Sequence, residues 1–508
     1  MPDGPMTATE AGRIAALPAV DVLRLFRSKA LAPSEYLGVL LDRIAADARH
    51  EQPLNAFMEV LDGPAREQAR AADTFYARHG NDGTLGAVLM GLPVATKEKH
   101  ALAGHSHSQG MRAHAGAVAG EDHPAVARIR AAGGLVHGRT TSPEFSCATV
   151  THSRMWGVTR NPWNRALSPG GSSGGAAAAL AAGMTPLATA SDIAGSTRLP
   201  AAFTGNVGYK GPYGTVPGAG PFAADWYRGD GAMARTVADT ALLTDVMRGP
   251  HPSDHATVPS RGIAVATEEQ ALSTLQGRRL AYSPTLGNHP VERGVLREVE
   301  RAVTALEAAG ADVVEVDLPW TTEELSEVGM AHFGHLLAEG MRSLLAGQEH
   351  TAEAYTLRFI EAAREHAARR TLYETVAAEH RIQADLATAL RGVDALLTPA
   401  SAVRALAADG QYLDGITVTD QPDGADRTLE HYWQAHMAVP FNIANRCPVL
   451  CVPAGAAAAG ATGAVEAGAA GAAPGFPVGL QIVGHSFDET TVFEIGQAVE
   501  SLARRRGQ

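Results

Sequence analysis

Two serines in glycine-rich turns and a lysine at the end of an apolar run are the residue types that nucleophilic catalysis would need. Lys97 ends the apolar run GLPVATKE, Gly91 to Glu98. Ser172 lies in PGGSSGG, Pro169 to Gly175, and Ser196 follows it by twenty-four residues in ASDIAGSTRLPA, Ala190 to Ala201. A serine hydroxyl is a weak nucleophile and needs a base to activate it. The chain has only four lysines, Lys29, Lys97, Lys99 and Lys210, and arginine supplies the remaining positive charge. Arginine cannot act as a base because it stays protonated. A lysine can, once burial at a strand end lowers its pKa. The glycines around each serine let backbone approach it closely.

The serine run alone admits three readings: a packed loop that caps the following helix, a phosphate cradle at a helix N-terminus, and a nucleophile. The cradle lacks the lysine and serine or threonine that end a P-loop. Gly170-x-Ser172-x-Gly174 matches the nucleophile-elbow pattern, but the preceding TRNPWNRALSP is loop-like where that elbow needs a strand. Lys97 favours the nucleophile. Two further chemistries compete. His105-x-His107 could begin a metal site, but His137 and His289 lack the spacing to complete it. A Ser-His-Asp arrangement is open in a chain with 20 histidines, though no histidine has a singular context.

These groups need elements to hold them. Ser172 or Ser173 can cap a helix over Ala176 to Ala182, ended by Gly183 and Pro186. A strand over Leu187 to Ala190 then leads into the Ser196 turn. Upstream, Asp21 to Ala48 reads as two helices around Pro33, and Pro64 to Arg78 as a third. His123 to Thr141 reads as a helix closed by Gly133-Gly134, then a strand. Gly231 to Gly249 reads as a helix, and Val291 to Ala309 and Ala352 to Leu390 as long helices. Asp394 to Ala400, Cys447 to Gly455 and Phe476 to Gly484 read as buried strands, and Glu489 to Ala503 as the last helix. Alternation of this kind predicts an α/β fold with a mixed central β-sheet flanked by helices on both faces. The alanine-glycine tract 456–475 is expected to be a mobile surface loop.

The 508 residues are 45% hydrophobic and 19% charged, with a formal net charge of −12. An acidic balance argues against nucleic acid or an anionic membrane surface as partner. Cys147, Cys447 and Cys451 do not make a disulfide framework. The start, MPDGPMTATEAG, has neither the basic nor the apolar region of a signal peptide. The expectation is a cytoplasmic protein.

Taken in order, these motifs resemble the amidase signature family. GLPVATKE matches its lysine strand, TRNPWNRALSPGGSSGG its serine loop and ATASDIAGSTRLPAAFTG its nucleophile turn. Flanking segments are similar too, among them GRTTSPEFS, GYKGPYGTVPGAG and PFNIANRCPVLCVPAG. Departures are Glu98 for an aspartate, Ser191 for a threonine, Ala194 for a glycine and Thr197 for an isoleucine. Ala194 bears on turn geometry, since alanine tolerates positive φ less well than glycine.

The resemblance implies one amidase signature domain over 1–508 and a Ser-cisSer-Lys triad. In it Ser196 is the nucleophile, Ser172 the proton relay and Lys97 the base. The N–H groups of Ile193, Ala194, Gly195 and Ser196 form the oxyanion hole, and no metal or organic cofactor takes part. It further implies a variable, largely helical substrate-pocket region over 253–435, with Phe145 and Ser146 near the pocket. The expected activity is hydrolysis of a linear carboxamide through an acyl-enzyme, with a small-molecule amide as partner and a homodimer compatible with that reading. Two alternatives share the acyl-enzyme. One is the A-type component of a Glu-tRNA(Gln) amidation complex, though such components typically carry glutamine where Leu199 stands here. The other is an acyltransferase or amide synthase.

Overall fold

In the computed structural model, which describes residues 7–79, 88–455 and 476–507, eleven strands form one mixed sheet. In chain order these are β1 (Phe57–Val60), β2 (Pro93–Lys97), β3 (Leu135–Thr140), β4 (Leu187–Asp192), β5 (Val207–Lys210) and β6 (Gly229–Ala234), followed by β7 (Arg279–Tyr282), β8 (Asp312–Glu315), β9 (Ala395–Pro399), β10 (Val449–Pro453) and β11 (Gly479–Gly484). Their spatial order is β1-β3-β2-β4-β6-β5-β10-β11-β9-β7-β8. β2 runs parallel to β3 and β4, and β7 runs parallel to β8 and β9; the other pairings are antiparallel. Helices cover both faces, as the alternating pattern predicts.

The central strands are buried along their whole length and are mostly apolar or small, with Lys97, Asp192 and Asp230 as the charged exceptions. The helix Gly174–Ala181 packs on them, and its alanines from Ala176 to Ala179 are fully buried. Side chains this small let the helix lie close to the sheet. At the N-terminal side the helices are Ala8–Ala15, Ala19–Arg27, Pro33–Ala48 and Asp62–His79; the last three are as read from the sequence, and the first is not.

Three expectations differ in detail. Gly231 to Gly249 is not one helix: Gly229–Ala234 is a strand, and the helix is Val237–Met247, capped by Thr236. Small residues are required in that strand because a Cβ at Gly231 would lie 2.3 Å from the Tyr209 carbonyl oxygen. Ala352 to Leu390 is two helices, Ala354–Ala368 and Leu372–Ala389; Thr371 and Glu374 form a capping box that starts the second. Ser173 stands at the N-cap of Gly174–Ala181, but its side chain makes no cap hydrogen bond. The alanine-glycine tract 456–475 lies outside the described residues.

Candidate active site

Lys97 is the last residue of β2, and its side chain is fully buried. Its backbone N–H donates to Thr189 Oγ1 on β4 at 2.9 Å. Nζ lies 2.7 Å from Ser172 Oγ, 3.0 Å from Ser173 Oγ and 3.0 Å from Ser191 Oγ. Among the described residues no carboxylate is within ion-pair distance of it. Burial pushes the Lys97 amine well below its usual pKa, and the Lys99 ammonium adds to this; Asp230, Asp192 and Glu98 oppose it. A neutral amine donates two hydrogens and accepts one. Ser173 Oγ is an acceptor for Nζ, since its own hydroxyl donates to the Ser191 carbonyl at 3.4 Å. Ser172 Oγ makes the shortest of the three Nζ contacts, and Ser191 Oγ is a further partner.

The loop holding Ser172 is packed too tightly for side chains. A Cβ at Gly171 would lie 2.4 Å from the Ala148 carbonyl oxygen. The Gly171–Ser172 peptide is cis. Ser173 N–H donates to the Ser196 carbonyl at 3.1 Å and ties the two serine loops together.

Ser196 lies in the turn after β4 and opens, with Ser172 and Ser191, onto one cleft of about 780 Å³. Its Oγ has no hydrogen-bond partner among the described residues, Ser172 Oγ included. A buried network fixes this turn. Asp192 Oδ1 accepts from Gly195 N–H at 2.8 Å, from Arg198 Nη2 at 2.8 Å and from Asn442 Nδ2 at 2.9 Å. Asp192 Oδ2 accepts from Arg198 Nε at 2.9 Å, and Arg198 also reaches Gln481, Asn442 and the Ala438 carbonyl. Burial alone would raise the Asp192 carboxyl; the Arg198 guanidinium and these donors outweigh it and hold the group below the usual carboxylate range.

The peptide joining Ala194 to Gly195 is pinned at both ends. Its N–H goes to Asp192, and its carbonyl accepts from His436 Nδ1 at 3.0 Å. His436 Nε2 accepts from the Thr149 hydroxyl at 2.5 Å, and burial pushes the ring down to about 4, so it is neutral. The Gly195 N–H expected in the oxyanion hole is therefore committed to Asp192. Those of Ile193, Ala194 and Ser196 have no acceptor among the described residues. Gly195 takes the φ of +101° that the turn needs, and Ala194 stays out of the positive-φ region, so alanine there is compatible with the turn.

The cleft is lined on one side by Phe222, Phe333, Leu337, Met341, Phe359 and Trp433. All but Phe222 come from 253–435, the stretch expected to shape the pocket, and Phe145 and Ser146 also line it. The histidines considered for a metal diverge. His105 meets Glu59, while His107, His137 and His289 bond backbone carbonyls. No feature of the sequence pointed to a buried cluster of His100, His123 and Asp230 beside Lys99. His123 Nδ1 accepts from Ala125 N–H, and His100 Nδ1 is hydrogen-bonded to Thr189 Oγ1, which already accepts from Lys97 N–H. Both rings thus turn an Nε2–H towards Asp230, His100 to Oδ1 and His123 to Oδ2, and Oδ2 also pairs with Arg228. The cluster is the donor shell of one carboxylate, with no imidazole lone pair directed at its centre. The three cysteines are buried.

A mixed α/β sheet that brings a buried lysine and paired serine loops to one cleft has the architecture of amidase signature enzymes. The sequence profile of the Amidase family matches residues 37–493, and the chain belongs to that family. It is similar to the A-type subunit of glutamyl-tRNA(Gln) amidotransferase from Symbiobacterium thermophilum, 32% identical with 96% of this chain and 97% of the relative covered. It is also similar to the corresponding protein of Mycobacterium tuberculosis, 31% identical over 93% of this chain and 94% of the relative. Among solved structures, a bacterial aryl acylamidase of the amidase signature family superposes with a TM-score of 0.81 at 23% identity, covering 97% of this chain and 98% of that one. The A-type glutamyl-tRNA(Gln) amidotransferase subunit of Thermotoga maritima gives a TM-score of 0.71 at 26% identity, covering 96% of this chain and 95% of that one. No helix among the described residues is long and apolar enough to cross a membrane.

Proposed function

We propose that this amidase-family enzyme cleaves a linear carboxamide through an acyl-enzyme on Ser196, with Ser172 as proton relay and Lys97 as base. The observation that carries this reading is the contact of 2.7 Å between a buried, carboxylate-free Lys97 amine and Ser172 Oγ, at a cleft shared with Ser196. Neutral Lys97 draws the Ser172 proton, Ser172 in turn takes that of Ser196, and Ser196 Oγ attacks the carbonyl carbon. The tetrahedral oxyanion is received by the free N–H groups of Ile193, Ala194 and Ser196. Collapse of that intermediate expels the amine or ammonia, which takes the proton back along the same route, and water then releases the acid. Ser172 and Ser196 are not hydrogen-bonded in this structure, so the relay forms when substrate closes the gap.

The fate of the nitrogen separates two readings. Near-full-length likeness to the A-type subunits of glutamyl-tRNA(Gln) amidotransferases supports ammonia delivery within a Glu-tRNA(Gln) amidating complex better than it supports a free-standing hydrolase. The aromatic cleft lining and the fully buried Leu199 support the free-standing hydrolase. Labelling with a fluorophosphonate followed by peptide mapping tests the shared chemistry: one adduct on Ser196 is expected, and an adduct elsewhere overturns it. Glutamine-dependent amidation of Glu-tRNA(Gln) by the chain with its partner proteins would decide for the amidotransferase; amide hydrolysis by the chain alone decides for the hydrolase.

A further inference from the structure

The cleft lining also carries polar groups. Lys99 follows β2 directly, with Glu98 between it and Lys97, and its side chain lines the cleft at 28% exposure. Lys99 Nζ makes no hydrogen bond among the described residues. Its nearest carboxylate oxygen, Asp230 Oδ1, is 4.0 Å away and already faces His100 Nε2 at 3.2 Å. Arg228, the other cation on the cleft, is committed to Asp230, to Asp254 at 3.5 Å and to the Ala223 carbonyl at 3.3 Å. Lys99 is therefore the cation with donors to offer. The Gln109 amide and the Ser146 hydroxyl line the same cleft, and neither has a partner among the described residues.

This polar lining is held rigidly. Gln109, Phe145 and Ser146 have φ of 52°, 51° and 58°, a region that side-chain-bearing residues rarely adopt. Such backbone persists only where surrounding contacts enforce it. The contacts are present: Glu98 accepts from the Ser108 hydroxyl at 2.7 Å, Gly110 N–H at 2.9 Å and the Ser142 hydroxyl at 3.2 Å. Phe145 N–H donates to the Gln109 carbonyl at 3.0 Å, and the Tyr355 hydroxyl accepts from Glu144 N–H at 2.8 Å. The residue pair Glu98-Lys99 thus braces this lining and supplies its cation.

We propose that Lys99, together with Gln109 and Ser146, forms an anion subsite, so that the preferred substrate is a carboxamide carrying both an apolar body and a carboxylate. This rests on the reading of the cleft as the amide-cleaving site. Burial lowers the Lys99 amine below its ordinary value while Asp230 opposes this, and an ammonium there without a hydrogen-bond acceptor attracts a carboxylate through a charge-assisted hydrogen bond. The aromatic lining of the same cleft takes the apolar body. A neutral amide of the same size would leave the ammonium without an acceptor.

Calorimetric titration tests this on full-length Ser196→Ala, which holds substrates intact. Two matched pairs differ only by carboxylate against methyl: phenylsuccinic acid monoamide with 2-phenylbutanamide, and N-phenylacetyl-β-alanine with N-propylphenylacetamide. The first pair puts the charge on the acyl side, the second on the amine side. In at least one pair the carboxylate should bind about tenfold or more tightly than its methyl twin, as a charge-assisted hydrogen bond implies. Lys99→Met should bring that ratio below about threefold, and Lys99→Arg should keep most of it. A ratio near one in both pairs, no binding by any of the four, or a ratio that survives Lys99→Met overturns the proposal. Fluorophosphonate labelling of Ser196 in the parent chain separates the two failures: a labelled Ser196 with no carboxylate preference sinks only the subsite, and an unlabelled one sinks the site reading itself.

Discussion

Replacing Lys97 by methionine removes the amine and nearly preserves the volume. If neutral Lys97 is the base, the loss is that of a positioned general base, about 10²–10⁴-fold in kcat, or roughly 3–5 kcal/mol of barrier. Stability should respond far less. Up to three hydrogen bonds to Ser172, Ser173 and Ser191 disappear, each worth about 1 kcal/mol. The cost of keeping an amine in a fully buried site disappears with them. These offset one another, so the unfolding free energy should move by less than about 2 kcal/mol. Lys97→Arg separates charge from basicity: it restores a cation that cannot give up its proton. It should be as inactive as methionine, and less stable, because a permanent charge is then buried without a carboxylate partner. The assay is amide hydrolysis alongside urea denaturation of wild type and both variants. Activity within tenfold of wild type in Lys97→Met, or any substantial activity in Lys97→Arg, would refute the reasoning.

Other consequences follow from the same contacts. Arg198→Met leaves the Asp192 carboxylate buried without its counter-ion and should cost about 3–5 kcal/mol in urea denaturation; Asp192→Asn added to it should recover part of that loss. His436→Ala frees the Ala194 carbonyl, so kcat should fall about 10–100-fold with little change in KM, a loss confined to the transition state. Burial pushes the Lys210 amine down from 10.5 to about 7. Between these values the unfolded chain binds the proton and the folded one does not, so stability should rise as pH rises from about 7 towards 10.5. Lys97, depressed in the same direction, adds to that slope, and Lys210→Met should flatten it in urea titrations.

What the sequence made legible was the chemistry whose positions are adjacent in the chain or spaced by one supersecondary unit. Lys97, Ser172 and Ser196 stand out because lysine is scarce and because glycine is required where backbone packs as closely as at Gly171. The strand and helix alternation that carries them was equally readable. What supports them from afar was not. Asn442 and Gln481 lie more than 240 residues beyond Asp192 and Arg198 in the chain. They reach the turn only because β10 returns beside β5 in the sheet and β11 beside β10. His436 had no distinguishing context among 20 histidines, except that it shortly precedes Pro440-Phe441-Asn442. Ser173 resembled a helix cap, since propensity cannot anticipate a tertiary amine contact that takes its hydroxyl as acceptor. The strand Gly229–Ala234 resembled a helix start because its small residues answer to crowding from Tyr209.

With only four lysines in the chain, the protonation state of Lys97 can be observed directly. Lysine labelled with ¹³C at Cε yields at most four side-chain signals, and Lys97→Met assigns one of them. The signal lost in Lys97→Met should change from ammonium to neutral amine at a pH well below the ordinary lysine range, as burial of this amine requires. A Lys97 signal that titrates at the ordinary lysine value of about 10.4 would contradict a neutral base.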